Sequence, residues 1–208
     1  AAIRANGTDY VHYMNIRNWA GWMTNYSSLY KSIDNGANWV RCQDVKFGSM
    51  SNFGQVGYFK KDGYVYMMGT ITGRDNKPHL ARFHEENIEK QSEYEFWNGS
   101  GWAKDNETAA VPLFDDIAGE LSVAYHPKFN KWILLYFNGT RYEISFRAAD
   151  HITGPWSEPA KLVDGWQYAQ LYGSFIHPLS LEGDTLYFIM SMWLPYNSYL
   201  MSVELLSK

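Results

Sequence analysis

Between Gly119 and Val163 apolar and polar residues alternate in four consecutive short stretches, GELSVAYHPKF, NKWILLYFN, RYEISFRAAD and HITGPWSEPAKLV. Period-two alternation, or a short apolar run bounded by turn residues, is the mark of a β-strand. The breaks fall at His126-Pro127-Lys128-Phe129-Asn130, at Asn138-Gly139-Thr140 and at Thr153-Gly154-Pro155. All three are dominated by residues that set or tolerate turn dihedrals. The stretch therefore predicts four antiparallel strands in succession, here called A, B, C and D.

The same order returns along the chain. A first copy has A at Ala2 to Ala5, B at Asp9 to Ile16, C at Ser28 to Ile33 and D at Trp39 to Gln43. A second has A at Phe53 to Phe59, B at Gly63 to Ile71, C at His79 to His84 and D around Tyr94 to Trp97, with the Asn98-Gly99 turn behind it. The stretch described above is the third. A fourth has A at Gly173 to Pro178, B at Thr185 to Trp193 and C at Ser198 to Leu205, and no D follows. Four-stranded units repeated at blade-sized intervals predict an all-β fold, a β-propeller, in preference to a sandwich. A sandwich has no need of one strand order repeated, whereas each propeller blade packs only against its neighbours. On this reading residues 1–208 are a single propeller domain of about four blades, the last incomplete. An upstream segment, or a second chain, is then expected to complete the ring.

Composition narrows the function classes. With 46% apolar and 17% aromatic residues among 208, the chain can bury a core, and the net charge of −4 leaves no basic stripe for nucleic acid. No apolar run is long enough for a membrane helix. The single cysteine, Cys42, excludes an intrachain disulfide and a cysteine-based zinc site, and no metal or cofactor is expected. The start, Ala1-Ala2-Ile3, lacks a methionine or a signal-like apolar region and points to a mature form or a fragment. Glycosylation sequons at Asn6, Asn25, Asn98, Asn106 and Asn138 suit a secreted, extracellular or periplasmic protein, although Asn-Gly is also the preferred hairpin dipeptide.

Ser32-Ile33-Asp34-Asn35-Gly36-Ala37-Asn38-Trp39 resembles the Asp-box of sialidase-like propeller blades, carried on the C-to-D hairpin. Asp34 is expected to hold backbone amides, Gly36 to supply a positive φ and Trp39 to plug the blade. Because strands alternate in direction, A-to-B and C-to-D turns share one end of the sheets, which places Asp34, His126 with Pro127, and His177 with Pro178 there as turn residues. The opposite end collects the residues with chemistry to offer. Arg17 and Trp19 come from the first B-to-C loop, Arg74 and Asp75 from the second, and Trp193 from the fourth. Gln55, Glu120 and Tyr172 stand at starts of A strands, with Asp116 just ahead of Glu120. Glu120, Asp116 and Asp75 are the candidate catalytic carboxylates. Arg74, Gln55, Arg17, Trp19, Trp193 and Tyr172 are the candidate substrate contacts, through hydrogen bonds or stacking.

The order of Gly63-Tyr64-Val65-Tyr66-Met67-Met68-Gly69-Thr70-Ile71-Thr72-Gly73-Arg74, Leu80-Ala81-Arg82, Gly119-Glu120-Leu121-Ser122-Val123, Arg147-Ala148-Ala149, Gly154-Pro155-Trp156-Ser157 and Leu171-Tyr172-Gly173 to His177-Pro178 resembles the DUF4185 domain family over nearly the whole chain. The resemblance implies a five-bladed propeller and kinship with endo-acting D-arabinofuranosidases that cut the arabinan of mycobacterial cell walls. It implies a secreted glycoside hydrolase acting on a furanoside or related cell-wall polysaccharide or oligosaccharide. The family's acidic Gly-Asp-Thr segment of the first blade has no counterpart, since Gly183-Asp184-Thr185 falls at an A-to-B turn. Glycoside hydrolysis ordinarily takes two carboxyl groups. With Glu120 the one carboxylate that the strand positions single out, a non-catalytic carbohydrate-binding propeller stands as the alternative.

Overall fold

A computed structural model describes residues 1–206. The chain divides into two compact units, Ala1–Asp115 and Asp116–Lys208. Each holds two antiparallel sheets. The four sheets are the blades of a β-propeller.

In the first unit, β1 (Ala2–Ala5), β2 (Thr8–Asn18), β3 (Met23–Ser32) and β4 (Val40–Gly48) form one sheet in chain order. The second sheet is β5 (Gln55–Lys61), β6 (Tyr64–Thr70), β7 (His79–His84), β8 (Glu95–Trp97) and β9 (Trp102–Lys104). The hairpins β1–β2 and β5–β6 turn on Asn6-Gly7 and Asp62-Gly63, each with two consecutive positive φ angles, as two-residue type I′ hairpins demand. Alternation along β2 buries Tyr10 and His12 and leaves Tyr13 exposed. One face of each sheet supplies the core, with Tyr10, Leu29, Val45 and Phe47 meeting Phe53, Val65, Met67, Phe83, Tyr94 and Phe96. The rings interlock, Phe83 stacking on Tyr94 at 3.9 Å and Phe53 tilting onto Phe96 at 5.3 Å.

The two sheets of this unit are also joined by polar contacts inside the core. The Gly54 carbonyl accepts from Ser27 Oγ at 2.6 Å and lies 3.2 Å from His12 Nε2. A carbonyl only accepts, so Nε2 carries the proton and Nδ1, 3.1 Å away, accepts from the Tyr58 hydroxyl. Burial pushes the His12 pKa down to about 3. Strand β6 comes equally close to the segment ahead of β5. A Cβ on Gly69 would stand 2.9 Å from the Asn52 carbonyl oxygen and from the Phe53 ring.

In the second unit, β10 (Leu121–His126), β11 (Lys131–Asn138), β12 (Glu143–Ala149) and β13 (Ala160–Asp164) make one sheet, and β14 (Leu171–Ile176), β15 (Thr185–Met192) and β16 (Asn197–Glu204) the other. From Trp132 to Asn138 strand β11 is buried on both faces. The Ile176 amide of β14 donates to Ser122 Oγ of β10 at 3.0 Å and ties the two sheets.

The expected strands are present in the expected order, with informative departures. Strands β2 and β3 extend beyond the predicted pieces because their polar ends pair through bulges near Asn15 to Asn18. The short β9 adds a fifth strand by folding back from the Asn98 turn, whose Oδ1 accepts from the Ser100 and Gly101 amides. The fourth blade has three strands among the described residues. At the C-to-D hairpin, Asp34 Oδ1 accepts from Ser32 Oγ at 2.7 Å and from the Asn38 amide at 2.9 Å, and Gly36 has φ +86°. Trp39 does not plug the blade. It is 37% exposed, because Asp34 and Ser32 satisfy the turn internally and leave the indole to cover it from outside, Nε1 donating to the Gly36 carbonyl. His126 and His177 lie at A-to-B turns. His126 packs on Phe129, and His177 Nδ1 accepts from the Leu179 amide.

Two outcomes are expected. Gly69→Ala should cost about 2 kcal/mol through overpacking, read as a lower urea midpoint, and an unchanged midpoint would contradict the close approach. Since folding depresses the His12 pKa, the unfolded chain takes up more protons below about pH 6.5, so His12 lowers stability progressively from there down to about pH 3. Urea midpoints at about pH 7.5 and 4.5 should therefore differ more for the native protein than for His12→Gln, and equal differences would exclude His12 as the source.

Candidate functional site

In the second unit the chemistry-bearing residues gather where the innermost strands start. Glu120 directly precedes β10 and is half-buried. Its backbone is held at both sides, the Phe137 amide donating to the Glu120 carbonyl at 3.0 Å and the Gly119 amide to the Phe137 carbonyl at 2.8 Å. A Cβ on Gly173, early in β14, would lie 3.8 Å from Glu120 Cβ and 3.9 Å from Cγ, so the start of β14 forms the wall beside this acid.

Asp116, expected as a second catalytic carboxylate, is tied into a network of donors. Its oxygens accept from Tyr136 Oη at 2.7 Å, Asn138 Nδ2 at 2.8 Å, Arg141 Nη2 at 2.8 Å and Arg147 Nη2 at 3.0 Å. Burial opposes ionisation here, but these donors and two guanidiniums prevail and bring the Asp116 pKa down to about 2. A carboxylate so held is a fixed charge, not a proton donor at neutral pH. Glu143 completes the network, accepting from Arg141 Nε at 2.8 Å and Ser145 Oγ at 2.6 Å. Arg141 and Glu143 were not anticipated from the sequence, and the one signal pointing to them was their place at the B-to-C loop of the third blade. Asn138, a sequon position, is buried and its amide is used on Asp116, so it cannot accept a glycan in the folded chain.

Aromatic groups surround the same strand starts. Tyr172 is half-buried and Trp193 is 53% exposed, its amide donating to the Gln170 carbonyl at 3.0 Å. The Gln170 amide in turn donates to Tyr142 Oη at 2.5 Å. Gln170 and Tyr142 both have positive φ, 65° and 53°, a backbone region that residues other than glycine rarely occupy and that the surrounding contacts must hold.

The first unit has its own cluster on the B-to-C loops of its two blades. Trp19, 70% exposed, meets Trp22 edge to face with centroids 5.7 Å apart, and the Arg74 guanidinium lies 5.4 Å from the Trp22 ring. Thr72 links the loops through Thr24 Oγ1 at 3.1 Å. Gln55 starts β5 opposite Thr70, and its Nε2 is buried. Asp75 is exposed on the second of these loops, whereas Arg17, expected on the first, is an exposed residue near the end of β2, because the strand runs on to Asn18. The structure thus brings Trp19 and Arg74 together, through Trp22, which sequence reasoning missed.

A groove of about 580 Å³ in the second unit lies at the turn end instead, and is lined by Phe129, Ile133, Phe146, Leu162, Val203 and Leu205 among others. Among the described residues, no group of three or more His, Cys, Asp and Glu side chains is placed to hold a metal ion.

A family model described as a domain of unknown function, DUF4185, matches residues 1–202. No curated protein matches the chain. Among solved structures the chain is similar to an exo-β-1,3-galactanase from Phanerochaete chrysosporium, with TM-score 0.65 and 9% identity over 98% of this chain and 44% of that one. It is also similar to a family 117 glycoside hydrolase from Zobellia galactanivorans, with TM-score 0.57 and 12% identity over 97% and 64%. A xylan β-1,4-xylosidase from Bacillus halodurans gives TM-score 0.57 and 13% identity over 98% and 39%. The chain spans about half the length of the solved structures it matches. At these identities the likeness is one of fold.

Because folding lowers the Asp116 pKa, its stabilising effect is fully present above about pH 4 and is lost as the pH falls toward about 2. Asp116→Asn should cost about 3 kcal/mol at neutral pH by removing the charge that Arg141 and Arg147 face, and should flatten this acid limb of the stability curve. An acid limb as steep in the variant as in the native protein would assign the effect to other carboxylates.

Proposed function

The chain belongs to the DUF4185 family, and we propose that it is a glycoside hydrolase, secreted, acting on a furanoside-containing or related cell-wall polysaccharide. The observation that carries the reading is the placing of Glu120. A half-buried carboxylic acid stands at the start of an innermost strand, its backbone pinned on both sides and β14 against its flank, in a fold shared with glycoside hydrolases.

In this reading Glu120 serves as general acid or base at the glycosidic oxygen or the attacking water. Of the other two candidate carboxylates, Asp116 is committed to two arginines, and Asp75 is exposed on a loop of the first unit. Asp116 is then a positioning residue that sets the approach of the chain to Glu120. In the second unit Trp193 and Tyr172 offer ring faces, and in the first Arg74, Gln55 and Trp19 are the candidate sugar contacts. Arg17 contributes a further donor from the exposed end of β2.

The second reading, a carbohydrate-binding propeller without catalysis, is favoured by one observation, the neutralisation of Asp116 by Arg141 and Arg147. Sizing products after incubation with arabinan, arabinogalactan, β-1,3-galactan and xylan separates the two. The hydrolase reading expects shortened chains from at least one polymer and a loss of roughly a hundredfold or more in kcat for Glu120→Gln. Binding without products would favour the second reading. Cleavage that Glu120→Gln leaves intact would remove Glu120 from the mechanism.

A further inference from the structure

The loop between β13 and β14 carries an indole that the fold itself does not use. Trp166 is 83% exposed, yet the backbone around it is held tightly. Its amide donates to Asp164 Oδ1 at 2.9 Å, and the Gln167 and Tyr168 amides donate to the Asp164 carbonyl at 3.1 and 3.2 Å. The Asp164 carboxylate is itself paired with Lys161 Nζ at 2.7 Å. The Gly165 amide donates to the Tyr142 carbonyl at 2.8 Å, and a Cβ at Gly165 would overlap that carbonyl and the Tyr142 ring, so the loop lies against Tyr142 as closely as a chain can. The result is that the Trp166 ring stands edge to face on Tyr142, with centroids 5.4 Å apart and planes at 80°.

Large exposed apolar side chains are common and often idle. An anchored one, on the loop that leads into the strand bordering a candidate acid, is a different matter. The Tyr142 hydroxyl contacts the Gln170 amide at 2.5 Å, and Gln170 is three residues from Gly173, which borders Glu120. Three residues of chain reach at most roughly 10 Å, so the loop that carries the platform runs directly into the strand that borders the acid. The neighbours of Trp166 on its loop are Asp164, Gly165, Gln167 and Tyr168, which bring a carboxylate, an amide and a hydroxyl to the loop. An exposed ring on a loop that also carries such polar groups matches a sugar, which has an apolar C–H face and a rim of hydroxyls.

We propose that Trp166, braced by Tyr142, is the stacking platform for one sugar ring of a neutral saccharide bound beside Glu120. This rests on the carbohydrate reading above and adds the residue that holds a ring away from the scissile bond. Tyr142 acts by fixing the indole, and its hydroxyl fixes the Gln170 segment from which Trp193 is also held.

The test is affinity gel electrophoresis in arabinan, arabinogalactan, β-1,3-galactan and xylan, with Glu120→Gln as the parent so that no polymer is cut. Trp166→Ala in that background should weaken retardation about tenfold, while Trp166→Phe, which keeps a ring face, should stay within about threefold of the parent. Leu179→Ala, an equally exposed residue beyond the opposite end of β14, should leave retardation unchanged. Circular dichroism checks that each variant is folded. Retardation of Trp166→Ala within twofold of the parent would overturn the platform. Retardation without cleavage by the native protein removes the hydrolase reading and keeps the platform. Cleavage with retardation unmoved by Trp166→Ala removes the platform alone. Retardation by none of the four polymers overturns both.

Discussion

A sheet of three to five strands has two faces and no interior, so it is stable only when a neighbour covers at least one of them. In the first unit this constraint decides nearly every buried position. Tyr10, Leu29 and Phe47 are bulky because they face the second sheet, while Tyr13, on the other side of the same strand as Tyr10, is left to solvent. The contact is not purely apolar. His12 and Ser27 both reach the Gly54 carbonyl, which lies in the second sheet's approach segment and would otherwise be a buried acceptor without a donor. A shared acceptor of this kind fixes the distance and the register between sheets, something that interchangeable apolar side chains do poorly. It also explains why an ionisable ring is tolerated in the core, since the neutral imidazole supplies both the donor and the acceptor that the place requires.

The B strands were the most legible part of the sequence. GYVYMMGTI and NKWILLYFN lie second in their sheets with a partner on each side, so their apolar character is continuous and bounded by turns. The hairpin dipeptides Asn6-Gly7 and Asp62-Gly63 were legible for a local reason, because few residue pairs accept two positive φ angles. The short β9 was not, since three residues following a glycine turn have no period to read. Nor were the polar ends of β2 and β3, which pair through bulges and carry Asn15, Arg17 and Asn18 in place of an apolar stripe. Strand patterns report burial, and these segments are strands without being buried.

The candidate site was legible in its strand positions and illegible in its electrostatics. Counting strand starts and loops put Glu120, Tyr172 and Trp193 at one end of the second unit. Nothing in a linear sequence distinguishes Asp116 from Glu120, four residues apart and both acidic. Their difference comes from Tyr136, Asn138, Arg141 and Arg147, which reach Asp116 from β11, β12 and the loop between them. Trp22, Tyr142 and Trp166 escaped notice for the reverse reason. In a chain with 17% aromatic residues any one of them reads as core, and only coordinates tell an anchored exposed ring from a buried one.

The Asp116 network bears on the choice between enzyme and binding module in a way that a count of carboxylates does not. Two arginines and one aspartate would leave a net positive charge in a half-buried place, and Glu143, buried and bonded to Arg141, brings the set to neutrality. The network is therefore balanced within itself, and the Asp116 carboxylate at its centre is held ionised near neutral pH. What it does is mechanical. It binds the segment before β10 to the middle of its own sheet at several points, and the Gly119-Glu120 peptide inherits that rigidity through the two hydrogen bonds to Phe137. A binding surface tolerates a side chain that wanders by an ångström, whereas proton transfer to a glycosidic oxygen does not. Rigid support for the Glu120 backbone is what this network supplies to the hydrolase proposed above.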